Sequence, residues 1–169
     1  YCQLASDMGL NLNDAYRVNY FHSPPWWKYG LAHWYSRRID PRWTAACGIP
    51  TGRSWREKDS EWEARVRNLV KNKFFASTEK LFACADYDAL NTRDHLVAWS
   101  RVEFLLEREG ADLRGFLDGI NLRKPEGDAT TAAAKTIERQ RTALQKSFGL
   151  SPAELDEAWA THVKRNYRK

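Results

Sequence analysis

The chain has 169 residues, of which 43% are apolar and 29% charged, and its formal net charge is +5. This length is typical of one domain with its own core. No apolar run approaches the roughly 20 residues of a membrane helix. Acidic and basic residues are interspersed, so the modest positive charge does not indicate a nucleic-acid-binding tail. We therefore expect a single domain over residues 1–169.

Apolar residues recur at helical spacing along most of the chain, and no alternating strand pattern stands out. A first helix is predicted from a cap at Asn11 or Asn13 to about Phe21. Residues 40–53 contain two prolines and two glycines and are predicted to form a surface loop. The other predicted helices cover, in chain order, residues 25–39, 55–70, 78–85, 92–109, 113–120, 128–148 and 152–163.

Two of these helices begin with strong capping signals. Asn91 is followed at the third position by Asp94, and Ser151 by Glu154, so each pair can satisfy the free N–H groups of a first turn. Gly110 is predicted to end the helix that starts after Asn91, because glycine readily adopts the left-handed conformation. The chain is therefore predicted to be mostly α.

Two tryptophans are predicted to hold the last helices together. Trp99 and Trp159 each lie on the apolar stripe of an amphipathic helix, so both should enter one core. The basic segment 164–169 follows the last stripe and is predicted to be a frayed tail.

The most informative pattern lies near the start of the chain. The segment 25–35 reads PWWKYGLAHWY, and the segment 13–17 upstream of it reads NDAYR. The later segments 98–108, 113–120 and 155–159 occur in the order expected for further helices of the same domain. Together they resemble the gluzincin-type metallopeptidases (peptidase-MA-like, with a thermolysin-type helical subdomain). The resemblance implies a multi-helix domain like the C-terminal helical part of such a peptidase.

The metal-binding residues of that family are missing from the matching positions. The family carries H-E-x-x-H on one helix and a third ligand, Glu, on the next. Here Asn13 and Arg17 stand at the two His positions and Tyr29 at the Glu position, while Asp14 occupies the position of the general base. Asn and a phenol are poor zinc ligands, and Arg17 brings a permanent positive charge. The resemblance therefore implies a vestigial site with no metal, no other cofactor and no catalytic residue.

Other catalytic patterns are weak. The four histidines are scattered, and none forms an H-x-x-x-H pair. His33 lies one helical turn after Tyr29 and is interpreted as a packed or surface residue. Cys2, Cys47 and Cys84 are widely spaced without C-x-x-C, so free buried thiols and one disulfide both remain open.

Aromatic and basic residues interleave over some thirty positions after the Pro-Pro pair. Such a surface suits protein–protein contact, and it could also stack bases or pair with an anionic polymer. Alternatively the Trp side chains face the core and the Arg side chains face outward. The candidate interface residues are Trp26, Trp27, Arg42, Trp43, Arg53, Trp55 and Arg56.

These patterns favour a non-catalytic, peptidase-like accessory or scaffold subunit that binds other protein chains. One alternative is a fragment of an active zinc peptidase with its ligands upstream. Another is a binder of nucleic acid or another anionic polymer. Because the sequence starts at Tyr1, we expect part of a longer or processed chain, with an extracytoplasmic location slightly favoured.

Overall fold

The computed structural model describes residues 21–39, 61–86, 88–123 and 129–167, and in them the protein is mostly helical. Seven helices and two short strands make up these ranges. The helices are α1 (Pro25–Ile39), α2 (Glu61–Lys71), α3 (Thr78–Phe82), α4 (Thr92–Leu106), α5 (Leu113–Ile120), α6 (Ala129–Phe148) and α7 (Pro152–Asn166). The strands, β1 (Phe21–His22) and β2 (Leu122–Arg123), pair antiparallel.

Helix α4 lies at the centre of the core. It packs most extensively against α1 and also against α2 and α7, while α5 packs against α6. Eleven of its fifteen residues are buried, so it is covered on nearly every side. Trp99 and Trp159, which are 2% and 0% exposed, belong to the same hydrophobic cluster, and their predicted place in one core is confirmed.

Aromatic side chains fix the start of α1. Trp26 lies 5.6 Å from Phe82 between ring centroids and donates a hydrogen bond of 2.8 Å to Gln140. Trp27 lies 5.1 Å from Phe116 in an edge-to-face contact. These contacts tie α1 to α3, α5 and α6, because each large ring fills space between helices that are distant in sequence.

The predicted capping boxes at Asn91 and Ser151 are both present. Three helix ends were predicted wrongly. Helix α3 ends at Phe82 rather than at Ala85. Helix α4 ends at Leu106 rather than before Gly110, which has φ +73° in the turn that leads into α5. Helix α7 continues to Asn166 because Tyr167, only 6% exposed, is anchored in the core. Residues 164–167 are therefore not a frayed tail.

Three further sequence predictions fall partly or wholly on residues outside the described ranges. The predicted first helix lies outside them except for Phe21, which lies in β1. The predicted loop 40–53 and residues 55–60 of the predicted third helix lie wholly outside. In the described part of the chain, no helix combines the length and apolar character needed to cross a membrane.

Candidate functional site

Tyr29, the residue that the resemblance would place at a third metal-ligand position, lies beside a close contact between α1 and α4. At Gly30 a Cβ atom would come within 2.7 Å of both the Ala98 carbonyl oxygen and a Val102 methyl group. Only a residue without a side chain lets the two helices approach this closely. The contact brings the α1 residues next to Gly30 against the first turns of α4.

Two histidines and Tyr29 meet at this contact. Nε2 of His33 lies 3.3 Å from Nδ1 of His95, and both residues are 2% exposed. The Tyr29 ring meets the His95 ring edge-on, with 5.9 Å between centroids, and Trp62 of α2 lies 5.5 Å from His33. Sequence reasoning missed this pair, because residues 33 and 95 are far apart in the chain. The only signal was the placement of His33 one turn from Tyr29.

Burial keeps both imidazoles neutral near pH 7. Desolvation, with further contributions from His95 and Arg37, lowers the pKa of His33 to about 3. Desolvation also lowers the pKa of His95 to about 4, although the neighbouring Asp94 carboxylate acts in the opposite direction. One neutral ring can donate its N–H to the free nitrogen of the other. The pair then acts as a polar contact between helices rather than as an acid–base group in catalysis.

The residues of this cluster do not fit a zinc ion. Zinc requires three or four ligands from imidazole, thiolate or carboxylate groups. The cluster offers two imidazoles and a phenol, and the Arg37 cation lies close enough to His33 to lower its pKa. Within the described ranges, no three His, Cys, Asp or Glu side chains come together as a metal site. Asn13, Asp14 and Arg17 lie outside those ranges.

A second polar network joins α4 to the end of α7. Ser100 accepts a hydrogen bond from Trp159 Nε1 at 2.8 Å and lies 2.8 Å from the Tyr167 hydroxyl. Tyr167 donates to Glu103 at 2.5 Å. Desolvation is the main reason that the pKa values of both Tyr167 and Glu103 are raised. Each member has a partner, so the network fits a structural role.

An ion pair between the buried Arg101 and the half-buried Asp156 holds α3, α4 and α7 together. Arg101 is 0% exposed and donates 2.6 Å and 2.8 Å hydrogen bonds to Asp156 and to the Ala76 carbonyl. Its guanidinium carbon lies 4.6 Å from the Trp159 ring centroid. Thr78 donates its hydroxyl to the same Asp156 oxygen at 2.6 Å. Burial lowers the pKa of Arg101 to about 10, which leaves it charged at neutral pH.

The structure corrects the predicted interface at two positions. Trp26 and Trp27 are each 1% exposed and belong to the core, so neither side chain is available to a partner. The amphipathic alternative, with Trp inward, holds for these two residues because their large apolar rings gain most from burial. The remaining candidates lie outside the described residues: Arg42, Trp43, Arg53, Trp55 and Arg56.

One open groove of about 630 Å³ lies between the end of α4 and the outer side of α7. Its lining includes Phe104, Arg108, Glu157, His162 and Arg165. The lining carries charges of both signs and has no buried reactive group. The groove therefore carries no catalytic assignment.

Cys84 has a free thiol that donates to the Lys80 carbonyl, and burial raises the pKa of this thiol.

Comparison with known proteins gives no identification. No family model, no curated protein and no solved structure matches the chain.

Proposed function

We propose that this chain is a non-catalytic, peptidase-like domain that serves as an accessory or scaffold subunit in a larger protein assembly. The observation that carries the proposal is the environment of Tyr29. Its ring packs against His95, where the gluzincin resemblance would require a carboxylate facing a metal ion. A side chain used for packing between two helices is a structural element, and a phenol supplies no strong zinc ligand there.

The chemistry of the neighbouring groups supports the same proposal. His33 and His95 are directed at each other with 3.3 Å between nitrogens, and both are almost fully buried. A zinc peptidase needs an accessible metal-bound water and a base that can take its proton. Two buried imidazoles with lowered pKa values fit a stable helix contact better than that chemistry.

A domain that has lost its metal chemistry can persist through its contacts with other proteins. The segment 40–56 is rich in Trp and Arg, the residue types enriched in interface hot spots. It directly follows α1, whose start is held firmly by Trp26 and Trp27. We propose that this segment, rather than the start of α1, is covered by another protein chain in the native assembly.

Hydrogen exchange tests this role. The isolated chain and the native assembly purified from its source are compared peptide by peptide. Residues 40–56 should exchange at least about tenfold more slowly in the assembly, because contact excludes water and restrains local opening. The core helix α4 serves as the internal control and should not change. Unchanged exchange over 40–56, with protection gained only elsewhere, would contradict the proposed contact.

A further inference from the structure

The outward side of α1 carries a regular stripe of apolar side chains and a cation. Leu31, Tyr35, Arg38 and Ile39 recur at the spacing of one helix face. We call these four residues the outer stripe. Arg38 is exposed and Ile39 is 60% exposed, while Leu31 and Tyr35 are half-buried. Leu31 packs in part against the core, and the Tyr35 ring lies 5.0 Å from the Trp34 ring between centroids, so both present only their outer edges. The opposite side of α1 is occupied by the core contacts of Trp26, His33 and their neighbours.

Few large hydrophobic side chains are exposed to solvent in the described ranges. Only two large hydrophobic residues there are markedly exposed, Ile39 and Phe74. Phe74 lies alone in a turn, whereas Ile39 is the last of three apolar residues in the outer stripe. An isolated exposed apolar side chain needs no explanation, but a row along one helix suits contact with another apolar surface.

The charge of α1 restricts the kind of surface that can cover the stripe. The helix has no Asp or Glu, and its cationic side chains away from the core are Lys28 and Arg38. Arg37 instead stacks on the core rings of Trp62 and Trp99, at 4.9 Å from each centroid. Arg38 stacks over the Trp34 ring, with 4.9 Å from its guanidinium carbon to the ring centroid. This stacking holds the guanidinium at the surface, where it can form a bidentate pair with a carboxylate. A cationic partner surface would be repelled.

We propose that the outer stripe of α1 docks an acidic amphipathic segment of a protein partner. Apolar side chains of the segment cover Leu31, Tyr35 and Ile39, and a carboxylate of the segment pairs with Arg38. The inference rests on the proposed accessory function and names the chemistry of its partner. The stripe ends at Ile39, immediately before the segment 40–56, so the two contact regions are continuous in sequence.

The composition of the stripe favours a protein partner over a nucleic acid. A nucleic-acid surface needs several cations that follow the phosphates and aromatic faces open for stacking. The outer stripe has one cation among three apolar residues, and two of the three are aliphatic. An amphipathic helix laid along the stripe would instead present apolar anchors every three or four residues.

A peptide selection with site-specific variants tests the proposal. The complete chain is panned against a displayed library of random 16-residue peptides, and enriched peptides are measured by fluorescence anisotropy. They should combine apolar residues at helical spacing with at least one Asp or Glu. Arg38→Glu should weaken binding about tenfold or more and Ile39→Ser several-fold, as expected for loss of a charged and an apolar anchor. Helicity measured by circular dichroism should be retained in both variants.

The controls separate direct contact from general electrostatics. Arg139→Glu makes the same charge change on the exposed side of α6 and should alter the affinity less than about twofold. Exchanging the peptide carboxylate for Lys should restore binding to Arg38→Glu. Enriched peptides without acidic residues, or binding unaffected by Arg38→Glu, would overturn the proposal. Tighter binding of an oligo-dT strand, also lost in Arg38→Glu, would overturn it in favour of an anionic polymer.

The same experiment distinguishes failure of this inference from failure of the proposed function. Bound peptides are analysed by mass spectrometry with and without a chelator after incubation with zinc. Chelator-sensitive cleavage would overturn the non-catalytic role whether or not the stripe binds. If no peptide is cleaved and peptide binding does not depend on Arg38 or Ile39, the docking inference alone is overturned.

Discussion

The buried histidine pair makes the stability of the protein sensitive to acid. In the unfolded chain both imidazoles have pKa values near 6.5. In the folded protein the pKa values fall to about 3 for His33 and about 4 for His95. The unfolded state therefore binds more protons than the folded state below about pH 6.5. The contribution of the pair to stability is fully present above about pH 6.5 and is lost as the pH falls through about 4 for His95 and about 3 for His33.

Replacing His33 with Phe should weaken this pH dependence. Near pH 5 each buried histidine contributes about one proton to unfolding, which corresponds to a slope of about 1.4 kcal/mol per pH unit. His33→Phe should reduce the measured slope by about that amount, and His95→Phe should act similarly. Urea unfolding followed by tryptophan fluorescence between pH 4.5 and 7 gives the slope. An unchanged slope in both variants would show that the imidazoles titrate normally.

The residues of this site differ in how far the sequence could reveal them. The position of Tyr29 on a helix followed from local patterns, because the Pro-Pro start and the apolar spacing of α1 are contiguous. The contact of Tyr29 with His95 could not be predicted from local patterns, since His95 lies 66 positions later and only packing brings the two rings close. The burial of Trp26 and Trp27 was also ambiguous. Helical spacing alone does not say which side of an aromatic-rich helix faces the core.

At the scale of elements, helix starts were easier to predict than helix ends. A cap such as Asn91 or Ser151 is a local hydrogen-bonding device, so it can be read from four residues. The end of α7 depends instead on the distant contacts of Tyr167 with Ser100 and Glu103. Such contacts override the tendency of a terminal basic segment to fray. The short pairing of β1 with β2 was also missed, because two residues are too few for a strand pattern.

The end of α2 offers a direct test of helix termination. Lys73 has φ +56°, and the Phe74 N–H bonds to the Leu69 carbonyl across this left-handed residue. A side chain in that conformation costs roughly 1 kcal/mol or more relative to glycine. Lys73→Gly should therefore raise the free energy of unfolding by up to about 1 kcal/mol, measured by urea denaturation.

The matched control is the same substitution two residues earlier. Lys71 is the last residue of α2 and is exposed, so Lys71→Gly removes the same charge from a helical position. It should destabilise the protein by about 0.5–1 kcal/mol, because glycine is a poor helix former. Equal effects of the two substitutions would contradict the left-handed conformation of Lys73.

At the scale of the whole molecule, Trp159 connects the last helix to the rest of the core. It is 0% exposed, meets Phe75 edge-on at 5.2 Å, and donates a hydrogen bond to Ser100. Trp159→Ala should lower the free energy of unfolding by about 3–5 kcal/mol, the usual range for a large buried aromatic. Trp159→Phe keeps most of the apolar contact and should cost clearly less. A fully stable Trp159→Ala protein would show that α7 is peripheral.

We propose above that this peptidase-like domain binds no catalytic zinc, and zinc stoichiometry tests that proposal most directly. The full chain is incubated with excess zinc, desalted and analysed for metal beside Tyr29→Phe, which removes only the phenol oxygen. We expect less than about 0.1 zinc per chain for both proteins, since Asn13, Arg17 and Tyr29 provide no adequate ligand set. One zinc per chain, lost in Tyr29→Phe, would contradict it.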